Sequence, residues 1–254
     1  MTRWSETFAW HDGRMVTYDC ETTGLGPRPE VLDAPPQRIV TACLILPRTA
    51  PRQWLLNPDC EFEPQAVETH GVTPDHAAEH GMDYRTGVQQ IADAIDEATH
   101  GAALVAYNVP FDLTLLVREC ARLGIGFTVP EWIVDPLVLD QALNRRKGAG
   151  AYKLEAVARA YGVELTAAHT ADADARAAGN LAWHMGRAAA AQRGPFAALH
   201  GMTFEQLLAW QAAAARRKKD SLRAFWQGQG DLRWETVDSG WPLLENPPFA
   251  KAVA

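Results

Sequence analysis

Apolar residues first recur as strands and later at helical spacing, and the change of period divides the chain into two parts. Met15 to Leu25 opens as an apolar strand, ends in two carboxylates and runs into a turn. Arg38 to Leu46 and Gln53 to Leu56 read as two more strands, joined by a turn with Pro47 and Pro51, so the first part predicts an antiparallel meander. Gly26 to Pro36 carries too many breakers for regular structure. Glu63 to His80, polar and interrupted by Pro64 and Pro74, predicts another loop, in which His70-Gly71-Val72-Thr73 suits either a plain turn or a close approach to a ligand.

From Tyr84 the spacing becomes helical. Val88, Ile91, Ala92 and Ile95 predict a helix to Thr99, closed by Gly101. A buried-type strand, Ala102 to Tyr107, leads to a helix over Phe111 to Leu123 stopped by Gly124, and a strand over Glu131 to Val134 leads to a helix over Leu137 to Leu143. This alternation predicts parallel strands with helical crossovers. Further helices are expected over Leu154 to Tyr161, from about Asp172 to Gln192, and from Thr203, with Gln206 completing a capping box, to about Gln227. The tail from Gly228, with Trp234, Trp241 and several prolines, is expected to wrap over the body as irregular chain. An α/β domain over residues 1–195, with its core in 15–190, is expected to carry residues 196–254 as a helix and tail packed upon it.

Composition narrows the classes. The 254 residues are 47% hydrophobic, enough for a full core, and no apolar run approaches the roughly 20 residues of a membrane span. The N-terminus lacks the basic-then-apolar order of a signal peptide, so a cytoplasmic protein is expected. Four cysteines without a C-x-x-C pair read as reduced, packed thiols rather than a zinc site. A net charge of -7 argues against broad attraction to nucleic acid, although a metal-filled acidic pocket would invert the local sign. Arg145-Arg146-Lys147 and Arg216-Arg217-Lys218-Lys219 could hold phosphates or simply face water.

Candidate chemistry lies in three segments. Asp19 and Glu21, two apart on a strand, share a face and repel each other unless a cation intervenes; oxygen-only donors suit Mg²⁺ or Mn²⁺ rather than zinc. Two acids can also merely mark a solvated strand end. In Asn108-Val109-Pro110-Phe111-Asp112, Asn108 can cap a helix, Pro110 suits its first turn and Asp112 its dipole. The same segment puts Asp112 at the carboxyl end of a strand beside the first, where ligands gather in α/β sheets. His169 and Asp174, if both helical, would point about 140° apart. With Thr170 as N-cap, His169 falls in the preceding loop and both can reach one point, leaving Asp172 as a helix-start acid.

Taken together, Asp19-x-Glu21, Asn108-x-x-Phe111-Asp112, and His169 followed by Asp174 resemble the three motifs of the DEDDh exonucleases of the DEDD superfamily. That subgroup includes the epsilon proofreading subunit of bacterial DNA polymerase III, ribonuclease T and oligoribonuclease. The resemblance covers about Met15 to Ala190, and His70-Gly71-Val72-Thr73 and Tyr152 to Ala158 also look family-like. Pro136 after Asp135, where many relatives have Thr, and the long Pro-rich loop depart from the pattern.

The resemblance implies a ribonuclease H-like fold, a mixed five-stranded sheet flanked by helices with a helical C-terminal extension. It implies hydrolysis of phosphodiester bonds from a 3′ end with two Mg²⁺ or Mn²⁺ ions. Asp19, Glu21, Asp112 and Asp174 would be the metal ligands and His169 the base. Thr22, Thr23 and Leu25 would line the terminal nucleotide's pocket, Asn108 and Phe111 would shape the site, and His70 would join them in binding substrate. The expected partner is a single strand or 3′ end, DNA first, in proofreading or repair, with a DNA polymerase as a candidate partner. An RNA exonuclease of the ribonuclease T or oligoribonuclease kind, or a polymerase-docking subunit, are the alternatives.

Overall fold

The computed structural model describes residues 9–24, 37–144, 146, 148, 150–166 and 168–245. One sheet holds β1 (Met15–Thr22), β2 (Ile39–Ile45), β3 (Arg52–Asn57), β4 (Met82–Asp83), β5 (Ala103–Val105) and β6 (Ile133–Val134). Their order is β4-β3-β2-β1-β5-β6. The first three form the expected antiparallel meander, and β5 and β6 run parallel to β1. The expected five strands become six, because β4 pairs in parallel with the end of β3. A two-residue strand has no alternation to read.

The loop expected over Glu63 to His80 is instead two short helices, α1 (Pro64–His70) and α2 (Pro74–His80). Each proline occupies the first turn, where its missing N–H has no intrahelical partner to lose. Thr73 caps α2 by accepting the His76 N–H, and Gly71, left-handed at φ 75°, ends α1. The prolines are start signals here rather than breakers.

α3 (Tyr84–Thr99) and α4 (Val109–Leu123) pack on one face of the sheet. The other face receives α7 (Ala171–Ala190), flanked by α5 (Pro136–Leu143), α6 (Leu154–Tyr161) and α8 (Phe204–Gly228). β1 divides its side chains accordingly: Val16, Tyr18 and Cys20 enter the α3–α4 core, while Thr17 meets α7. A Cβ added at Gly179 of α7 would lie 2.5 Å from Thr17 Cγ2. Only glycine permits this approach, and it brings the start of α7 to the face of β1 that bears Asp19 and Glu21.

The capping box of Thr203 and Gln206 is formed at the head of α8. Phe204 stacks on Trp132, just ahead of β6, with ring centroids 5.2 Å apart. Two turns on, the Gln211 side chain accepts the Asp135 N–H and donates to Ile133 O, both at 2.8 Å, at the carboxyl end of β6. α8 therefore runs in the direction of β1, β5 and β6 and continues past their carboxyl edge. The tail forms a 3₁₀ turn over Leu232–Thr236 and then returns: Leu244 N–H donates to Thr114 Oγ1 at 2.9 Å. No described helix is long and apolar enough to cross a membrane.

Candidate active site

The carboxyl edge of the parallel strands gathers the three candidate segments. Thr170 caps α7 by accepting the Ala173 N–H at 3.4 Å, which starts the helix so that Asp174 falls in its first turn. Carboxylate oxygens of Asp19, Glu21 and Asp174 then lie within 4.8 Å of one another. Asp174 Oδ2 accepts the His169 N–H at 3.3 Å, whereas Oδ1 is buried with no hydrogen-bond partner among the described residues. A buried acceptor left open beside two like charges is unfavourable unless a cation completes it. All-oxygen donors of this kind fit Mg²⁺ or Mn²⁺. Asp172 is held apart from this set by Arg176 at 2.8 Å.

Asp112 arrives from the other side of β1. Asn108, left-handed at φ 67°, turns the chain from β5 into α4; it stands at the N-cap position, but its side chain makes no capping bond. The capping expectation for Asn108 is thus corrected: Asp135 receives the N–H groups of Asn108 and Val109, each at 3.1 Å. Pro110 sits in the first turn of α4. Asp112 Oδ1 accepts both the N–H and the Sγ–H of Cys20 at 3.2 Å, which ties it to β1 between Asp19 and Glu21. Asp135 is a residue to which sequence reasoning gave no role. It is fully buried, and Gln211 and the Trp241 indole N–H (3.4 Å) hold it from the C-terminal side.

Burial pushes the Asp19 carboxyl well above its ordinary range, and Asp112, Glu21 and Asp174 add to the effect. Burial, then Asp174 and Asp112, raise Glu21 to about 7; burial raises Asp174 to about 6, against the pull of His169. Burial also raises Asp112, against the bonds from Cys20. Without a cation, the folded chain therefore keeps protons that the unfolded chain gives up above about pH 4.5, so stability falls as pH rises toward about 7. Chelated protein should melt several degrees lower at pH 7.5 than at pH 5, and added Mg²⁺ or Mn²⁺ should raise the melting temperature more at pH 7.5. Glu21→Gln, neutral at both values, should show a smaller pH difference by calorimetry; an unchanged difference would detach the effect from this cluster.

His169 is also left-handed, φ 68°, and its ring Nε2 lies 3.2 Å from Glu155 Oε1 with the side chain half exposed. Glu155 went unremarked as a site residue in the sequence, although it lies in the family-like stretch from Tyr152. His70 Nε2 approaches Thr22 O at 3.2 Å, which ties the end of α1 to the end of β1, and Nδ1 accepts the Val72 N–H at 3.1 Å, which fixes the ring against the turn after α1. Thr22 Oγ1 donates to Gly24 O at 2.5 Å, and Thr23 Oγ1 accepts the Arg38 N–H at 3.0 Å. Phe111 is half-buried in the first turn of α4. Leu25 lies outside the described residues. A groove of about 390 Å³ opens beside Glu21 across β2 and β3, walled by His70 and His76 on one side and His169 and Thr170 on the other. Of the first basic cluster, Arg146 binds the buried Asp140 carboxylate at 2.6 and 2.9 Å and so faces an acid rather than a phosphate; Arg145 and Lys147 lie outside the described residues.

A family model described as exonuclease (RNase_T) matches residues 16–182. A DNA polymerase III subunit epsilon-like protein of Rhodobacter capsulatus is 28% identical over 163 residues, covering 63% of this chain and 22% of the relative. A DNA polymerase III PolC-type protein of Caldanaerobacter subterraneus is 24% identical over 177 residues, covering 69% of this chain and 12% of the relative. The matches thus span less than a quarter of these relatives' own length. Among solved structures, E. coli exonuclease I in complex with a dT13 oligonucleotide superposes with a TM-score of 0.55 at 22% identity, over 71% of this chain and 42% of that one. The likeness shows the shared fold, the mixed α/β sheet flanked by helices.

Proposed function

The chain belongs to the exonuclease family, and from that premise we propose that it is a metal-dependent 3′→5′ exonuclease releasing nucleoside monophosphates, with DNA as substrate, in proofreading or repair. The observation that carries the reading is the meeting of Asp19, Glu21 and Asp174 within 4.8 Å, drawn from a strand and a distant helix, with Asp112 tied to the same strand. These four carboxylates would hold the ions, and a bound pair of Mg²⁺ or Mn²⁺ would supply Lewis-acid stabilisation of charge on the attacking and leaving oxygens. His169 would take a proton from the attacking water as its oxygen forms a bond to phosphorus and the bond to the 3′ oxygen breaks; the 3′ hydroxyl then regains its proton from solvent. Thr22, Thr23, His70, Asn108 and Phe111, together with Leu25, would border the terminal nucleotide.

DNA as substrate draws support from the structural neighbour bound to dT13, and the polymerase III names of the curated relatives support proofreading and a polymerase partner. The test is digestion of single-stranded DNA labelled at either end, with Mn²⁺, Mg²⁺ or chelator, beside a matched RNA. The 5′-labelled strand should shorten one nucleotide at a time and the 3′-labelled strand should release its label as mononucleotide at once, only with metal. Internal fragments at early times, or equal rates in chelator, would overturn the proposal, and faster loss of the RNA would reassign the substrate.

A further inference from the structure

We propose that the half of α8 beyond Ala214 is a track for single-stranded nucleic acid entering the carboxylate site, a proposal that rests on the exonuclease reading of that site. Gln211 sits at the carboxyl end of β6, and Lys218, two turns further on the same face of the helix, lies about 10 Å beyond it. From Arg216 onward α8 therefore overhangs the edge at which Asp19, Glu21, Asp112 and Asp174 meet. The overhang is joined to the site's rim. Lys218 Nζ lies 5.5 Å from the centre of the Tyr152 ring, Tyr152 O accepts the Tyr107 hydroxyl at 2.6 Å just before Asn108, and Glu155, one turn on, contacts His169.

The overhang has the chemistry of such a track. Arg216, Arg217, Lys218 and Lys219 put four cations into little more than one turn of a chain whose net charge is -7. Arg216 reaches only the exposed Glu245, at 3.8 Å, and the exposed Arg217 guanidinium has no partner among the described residues; Arg217 and Lys218 lie on the side of the helix that carries Phe225. The next turns expose Leu222 at 37% and Phe225 at 53%. Phe225 is braced edge-on by Trp226 at 5.0 Å, and Trp226 is itself covered by Arg233 at 3.6 Å. Cations that follow a phosphate backbone beside a braced aromatic face are how single strands are held without sequence preference. A strand whose 3′ end occupies the carboxylate site and that leaves past β5 and β6 would run along this helix, and its connection to that site favours nucleic acid over an acidic protein as the occupant.

The test reads binding of fluorescein-labelled dT15 and dT3 by anisotropy, with the full chain in chelator, for the parent, R217A/K218A and F225A. R217A/K218A should weaken dT15 by about 10-fold, change dT3 by less than about 2-fold, and flatten the slope of log affinity against log salt by about 1.4, two phosphates at about 0.7 each. F225A should weaken dT15 by about 5-fold or more with the salt slope unchanged. Unaltered circular dichroism keeps the comparison clear of unfolding. Parent affinity and slope in R217A/K218A would overturn the track, as would a double variant that binds dT15 normally but no longer captures a purified DNA polymerase. A chain that binds dT15 in this manner yet never shortens it once Mn²⁺ is supplied would retire the exonuclease reading instead, so the two failures are distinct.

Discussion

Asp19→Ala should lower metal-dependent digestion by on the order of 10³-fold, the scale on which one preorganised charge at a reacting centre acts. The chain should remain folded. Among the acids, Asp19 feels the charge of all three others, Asp112, Glu21 and Asp174, so it stands at their electrostatic centre. Removing it relieves repulsion in the chelated protein, which should melt no lower than the parent, while the rise on adding Mn²⁺ should shrink. Lost rate, lost metal response and a kept melting temperature together separate a ligand from a structural carboxylate. Asp174→Ala should lose rate comparably but also frees the His169 N–H, so its loop before α7 should exchange amide hydrogen faster. A parent-like metal-stimulated rate in Asp19→Ala would remove that residue from the metal centre.

What could be read from the sequence follows from the range of each interaction. α3 and α6 fall at the expected bounds, Tyr84–Thr99 and Leu154–Tyr161, because apolar spacing and a following glycine are local signals. α1 and α2, seven residues each, are too short to show a period, and their prolines read equally well as loop or as helix start. The strand period alone placed Asp19 and Glu21 on one face. That Asp174 meets them depends on the contact of Gly179 with Thr17, which has no local signature. Asp135 was harder still: it anchors the N–H groups of Asn108 and Val109, and its own anchors, Gln211 and Trp241, lie in the last fifth of the chain. The C-terminal segment thus supports the turn from which Asp112 rises, although residues beyond 182 fall outside the family match.

His169→Asn should lower the rate by about 10²–10⁴, the usual worth of a positioned general base. Asparagine is the informative replacement because His169 is left-handed, φ 68°, a conformation asparagine tolerates better than alanine does. The loop should therefore keep its bond to Asp174 Oδ2 while losing the imidazole, and the metal-induced melting shift should persist. Glu155, 3.2 Å from the ring, would orient the imidazole without touching substrate, so Glu155→Gln, which keeps a hydrogen-bonding oxygen but not the charge, should cost far less, about 10-fold. If His169→Asn instead matched the parent's rate at neutral pH with its metal response intact, the proton would have to leave by another group. Glu155 would then be no more than the surface partner of an exposed histidine.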